Sequence, residues 1–128
     1  MPILSVQASE ISYQGRISKN GQEGGLFTGV NGYFKFAIVD STGKKSFWSN
    51  DSSSIDGGEP NGNVEVPFPE KNGVFQVGLG ASPMSPLGSS VFKDPETYLR
   101  IWFSPDGDNY DLLTPDEKIS TVAYSLQS

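Results

Sequence analysis

The side chains in this sequence that could do chemistry are carboxylates, aromatics and Arg100. Neither histidine nor cysteine occurs. That removes the commonest general base, the commonest transition-metal ligand and any thiolate nucleophile. Hard-cation chemistry remains open. Asp106, Asp108 and Asp111 lie within Asp-Gly-Asp-Asn-Tyr-Asp, and calcium seeks six to eight oxygen ligands. Their spacing does not fit the helix-loop-helix calcium loop, and the closing bidentate Glu is missing. The plainer reading is a tight Asp-Gly hairpin with solvated acids. Calcium is the one cofactor this cluster raises. Asp51, Asp56 and Glu59 form a second acidic group, in a Ser-rich stretch that reads as soluble surface.

Paired carboxylates could hydrolyse glycosides. The candidates are Glu65, Glu70, Asp94 and Glu96, and spacing alone brings no two of them together. Aromatic faces could instead stack on sugar rings. Tyr98, Arg100 and Trp102 share one face of an alternating segment, with Tyr33 and Trp48 elsewhere. A carbohydrate-binding strip on that face competes with ordinary packing of a strand. Gly78-Leu79-Gly80 suggests a nucleotide loop, but Pro83 and Pro86 follow where a helix must start. That reading is rejected.

The elements that must carry these groups are strands. No segment keeps a helical period. Phe34, Phe36 and Ile38 alternate with Tyr33, Lys35, Ala37 and Val39, the period of a strand. Lys45 to Ser49 follows a turn at Asp40 to Lys44 and completes a hairpin. Further strands are expected at Glu10 to Ser18, Val64 to Phe68, Thr97 to Phe103, Tyr110 to Leu113 and Ile119 to Leu126. Thr114-Pro115-Asp116-Glu117 is expected to break the run between the last two. Asn72-Gly73 opens a stretch with Phe75, Val77 and Leu79 on one face, read as a central strand. Asn50 to Asn63 has one apolar residue and no period, which predicts a long, exposed, mobile loop. One helical turn fits near Ser89 to Lys93. About eight short strands between turn clusters specify an antiparallel β-sandwich, jelly-roll or immunoglobulin-like.

Bulk properties agree. A chain of 128 residues is one domain by default. Its net charge of −6 makes nucleic acid and anionic membrane poor partners. No apolar run reaches the roughly 18 residues of a membrane helix. The absence of cysteine fits export without disulfide chemistry. Residues 1–9 stand apart from the domain at 10–128. Met1 to Ala8 is apolar and ends in small residues, like the end of a secretory signal. Leu4, Val6 and Ala8 also alternate, so this arm could be a strand pairing in its own sheet or a neighbour's.

Ser12-Tyr13-Gln14-Gly15-Arg16-Ile17, the Asn72 to Gly80 stretch and Ile119 to Leu126 occur in this order across the chain. Together they resemble a β-sandwich module common in large secreted and surface proteins of bacteria. That module opens with Tyr-Gln-Gly-Arg-Leu, centres on Asn-Gly-x-Phe-x-Val-x-Leu-Gly and closes near Pro-Tyr-Ala-Leu. Ala123 and Ser125 stand where it tends to have Pro and Ala, and Asp116-Glu117 replaces a basic residue after the proline. The resemblance implies a secreted or cell-surface bacterial location and a scaffold role. The expected function is a non-enzymatic assembly subunit that associates by strand addition, with other copies of itself or a larger surface structure. Ile3, Leu4, Val6 and Ala8 are its expected contacts. A carbohydrate-binding module is the alternative, and a carboxylate hydrolase ranks last.

Overall fold

In the computed structural model, residues 10–17, 27–88, 91 and 96–119 are described. Seven strands follow one another among them: β1 (Ile11–Arg16), β2 (Asn31–Val39), β3 (Ser46–Ser49), β4 (Val64–Pro67), β5 (Val74–Leu79), β6 (Tyr98–Ser104) and β7 (Asp111–Lys118). They form two antiparallel sheets. The larger runs β3-β2-β6-β7, with β4 also on β2; the smaller is β1-β5. The expected arm strand at 1–9 and most of the expected Ile119 to Leu126 strand and of the helical turn near 89–93 lie outside the described residues.

The alternation read in β2 decides the layering. Phe34, Phe36 and Ile38 face the smaller sheet and are fully buried. Phe34 meets Phe75 of β5 at 4.5 Å between ring centroids and Phe103 of β6 at 5.0 Å. Phe68 and Phe27 extend this ring cluster, 4.8 Å apart and edge to face. Offset and edge-to-face rings add to the burial they bring, so few residues suffice for the core. On the opposite face of the larger sheet, Ala37, Val39 and Trp102 form a second buried cluster.

Three expectations are corrected. The Asn72 to Gly80 stretch is not a central strand: among the described residues β5 pairs with β1 alone, Gly15 opposite Phe75. Nor does Thr114-Pro115 end a strand. β7 runs through it, because Leu99 opposes Glu117 while Ile101 opposes Leu113, so β7 carries extra residues against Arg100. The bulge absorbs the proline, whose missing N–H would interrupt a regular ladder.

Third, the Asn50 to Asn63 loop is pinned rather than mobile. β3 takes the edge of β2 at Ala37–Val39 and β4 takes it at Asn31–Phe34. Between them Asn50 closes the ladder: its N–H donates to Phe36 O at 3.0 Å and its Oδ1 accepts from Phe36 N at 2.9 Å. Asn50 Nδ2 then holds Gly62 O at 2.9 Å. Asp51 accepts from Gly62 N, and Ser46 accepts from Gly57 N, both at 2.7 Å. Serines and asparagines that look like surface in sequence are the loop's internal fasteners.

Candidate functional site

The sequence candidates separate in space. Asp106 Oδ1 accepts from Asp108 N and from Ser104 Oγ, each at 2.9 Å. Those bonds, the backbone one first, hold its carboxyl below the usual aspartate range. It is a turn fastener. Asp111 sits on β7 opposite Phe103. Among the described residues no group of three or more His, Cys, Asp or Glu side chains is placed to hold a metal ion. Glu65 and Glu70 are exposed. Glu96 accepts from Tyr98 Oη at 3.3 Å and Lys118 Nζ at 3.4 Å, and Asp94 lies outside the described residues.

Tyr98, Arg100 and Trp102 do share a face, on which Tyr98 and Arg100 are half-buried. Trp102 is 6% exposed, with Tyr98 and Tyr110 packed on its cluster. The pinned loop lies beside it: Glu59 pairs with Lys35 at 2.7 Å, Lys35 Nζ stands 4.4 Å over the Tyr110 ring, and Asn63 bonds the Tyr110 hydroxyl. Arg100 is a tie between elements. Its Nε and Nη2 grip Asp116 at 3.0 and 2.7 Å, and Nη1 donates to the carbonyls of Gly43 and Gly57 at 3.2 and 3.0 Å. Both glycines have positive φ, and a Cβ on either would strike the guanidinium or the other turn. The buried Trp102 offers little open ring face for stacking, while Tyr98 is half-buried. Asp116 was the partner the sequence did not disclose, since the bulge in β7 aims it.

The feature that remains open lies between the sheets. On the side where β1 and β7 are the outer strands, a cleft of about 1070 Å³ separates them. One lip is Tyr13 to Ile17 of β1 and its end; the other is Asp111 to Pro115 and Glu117 of β7. Its floor is core: Phe27, Phe75, Leu99, Ile101 and Phe103. Among the described residues β1 pairs only with β5 and β7 only with β6, so each lip turns an unpartnered backbone edge toward the cleft. Such an edge is a template for another strand.

Among the described residues, a hydrogen bond joins the two lips of the cleft. Tyr13 Oη donates to Glu117 Oε1 at 2.8 Å. Burial first, then this bond and the charge of Glu117, raise the phenol well above the ordinary tyrosine range, so it stays protonated. Glu117 opposes Leu99 in the ladder and is exposed. Beside Tyr13, Gly15 lies under the Phe75 ring, where a Cβ would come within 3.0 Å. The Tyr-Gln-Gly-Arg motif and the Asn-Gly-x-Phe motif thus meet as paired strands on one lip of the cleft. The expected contact residues Ile3, Leu4, Val6 and Ala8 lie outside the described residues.

A family model described as a domain of unknown function, DUF8740, matches residues 12–116, from β1 into β7. No curated protein and no solved structure gave a match.

Proposed function

The chain belongs to the DUF8740 family, and we propose that it is a non-catalytic structural subunit that assembles by strand addition at the surface of an exported bacterial structure. The observation that carries this reading is the cleft with, on each lip, a strand edge that no described residue pairs with, and core residues on its floor. Its occupant is the arm Pro2 to Ala8 of a second copy. The arm carries no charged side chain and alternates Leu4, Val6 and Ala8. Fully extended, it spans at most about 25 Å, close to the roughly 27 Å of an eight-residue strand such as β7. Main-chain bonds to the edge supply affinity, and alternate side chains reach the apolar floor.

The test uses a chain lacking residues 2–8 and a fluorescent peptide of residues 2–9. Saturable binding, lost when Leu4 and Val6 of the peptide are replaced by Asp, is the expected result. A peptide that does not bind, or binds equally well with both aspartates, overturns the reading.

A further inference from the structure

The two lips of the cleft are unequal templates for a strand. Ile17 N donates to Gly73 O at 2.8 Å, which continues the register that sets Gly15 opposite Phe75. In an antiparallel pair, residues two apart turn their N–H and C=O groups to the same side. Ile11, Tyr13, Gly15 and Ile17 therefore turn theirs to β5. Ser12, Gln14 and Arg16 turn theirs to the outer edge, in a regular row about 7 Å apart.

On β7 the row is broken. Ile119 N donates to Thr97 O at 2.9 Å, so Glu117 turns its backbone to β6 and Lys118 turns outward. Past the bulge, Asp111 and Leu113 oppose Phe103 and Ile101, and Leu112 turns outward. Between Leu112 and Lys118 lies the bulge, where Pro115 has no N–H to offer. Charge divides the lips in the same sense. β7 carries Asp111, Asp116 and Glu117 against Lys118, and Lys118 is paired with Glu96. β1 carries Arg16, which is exposed and makes no ion pair among the described residues.

We infer that β1 is the receiving edge, and that it takes a strand of a partner protein with a carboxylate opposite Arg16. The inference rests on the strand-addition reading above for the site alone, since an uncharged strand leaves Arg16 without a counter-charge. The acids of β7 turn such a strand away from the other lip. Antiparallel pairing, the stronger ladder, sets the pattern of the partner. Cross-strand neighbours share a face. Its residues opposite Tyr13 and Gly15 meet the floor of Phe75, Leu99 and Phe103, and are apolar. Those opposite Ser12 and Gln14 are polar. From its N-terminal end the partner strand reads acid, apolar, polar, apolar, polar.

The test titrates the capped peptide Thr-Glu-Val-Thr-Val-Thr into the isotope-labelled chain and follows backbone amides by NMR. The Gln14 and Arg16 amides should shift saturably, and those of Leu112 and Lys118 should not. Gln14→Pro, tolerated on a free edge, should weaken binding about tenfold or more, whereas Leu112→Pro leaves it unchanged. Arg16→Glu should weaken this peptide about fivefold and favour its Lys counterpart. Binding that shifts Leu112 and Lys118 instead overturns the edge assignment and leaves strand addition standing. Binding indifferent to the charge at Arg16 overturns the acidic partner. No binding of this peptide, where the peptide of residues 2–9 binds, overturns this inference alone; if neither binds, both readings fall.

Discussion

Tyr13 on β1 and Glu117 on β7 are joined by a 2.8 Å hydrogen bond that spans the opening between the two sheets. The two residues belong to the outer strands of different sheets, 104 positions apart in sequence. The bond holds the lips in register. A charged side chain on an edge strand also discourages indiscriminate pairing. Tyr13→Phe keeps the ring and removes the donor. Because the pair is partly solvated, the expected loss is about 1 kcal/mol in urea denaturation. A variant as stable as the parent would mean the bond contributes nothing.

The same phenol makes a pH prediction. Its folded pKa lies above the unfolded value of about 10, so folding favours the protonated form. The stability this provides is complete below about pH 10 and is lost as pH rises further. The parent's advantage over Tyr13→Phe should therefore shrink in denaturation curves taken above pH 10. A constant difference across that range would contradict the linkage.

Arg100 binds three separate segments through one guanidinium, with the Asp116 pair only about one-fifth exposed. Lysine cannot reproduce the fork. Arg100→Lys should cost about 2 kcal/mol. It should also speed hydrogen exchange at Gly57 and Gly58, whose turn loses its anchor. Unchanged exchange there would show that the loop is held by its serines alone.

Asn50 is 3% exposed and substitutes for a strand between β3 and β4. Asn50→Ala strands the Phe36 N–H and the Gly62 carbonyl, and should cost about 3 kcal/mol. Asn50→Asp keeps an acceptor for Phe36 but turns a charge on the Gly62 carbonyl, so it should not restore the parent's thermal midpoint. Full restoration would show that the bond to Gly62 is dispensable.

At the acid end, burial alone would raise the Asp51 carboxyl. The Ser53 hydroxyl and the N–H groups of Gly62 and Ser53 outweigh it and lower the pKa. Its contribution is present above the unfolded value of about 3.9 and fades as pH falls through the folded one. Asp51→Asn should flatten the decline in thermal midpoint below pH 4. An identical acid profile would remove Asp51 from the account.

The strands that sequence made legible are those whose alternation is local. Phe34, Phe36 and Ile38 announce β2, and Leu99, Ile101 and Phe103 announce β6, because a period of two needs no knowledge of the partner. β7 was misread at Pro115 because a bulge opposite Arg100 is a property of the pair of strands. The Asn50 to Asn63 loop was misread for a related reason. Its serines, glycines and Asp51 have the composition of solvated chain, and only their long-range partners, such as Ser46 for Gly57, show that they are fasteners. Nothing local decides between a platform and packing at Trp102, which is buried in a cluster that Tyr98 and Tyr110 pack against. The cleft was invisible for the strongest reason: it exists only where two edges from different sheets face one another.

The central claim is that the cleft of one copy receives the arm of another, and the absence of native cysteine allows a clean covalent test. Two chains are made separately, one carrying Val6→Cys and the other Thr114→Cys on the exposed lip of β7. They are mixed, oxidised and run on a denaturing gel. The account predicts a covalent dimer that forms in the mixture and far less in either chain alone. No cross-link in the mixture, together with rapid intramolecular bridging in a single chain carrying both cysteines, would place the arm on its own domain and contradict it.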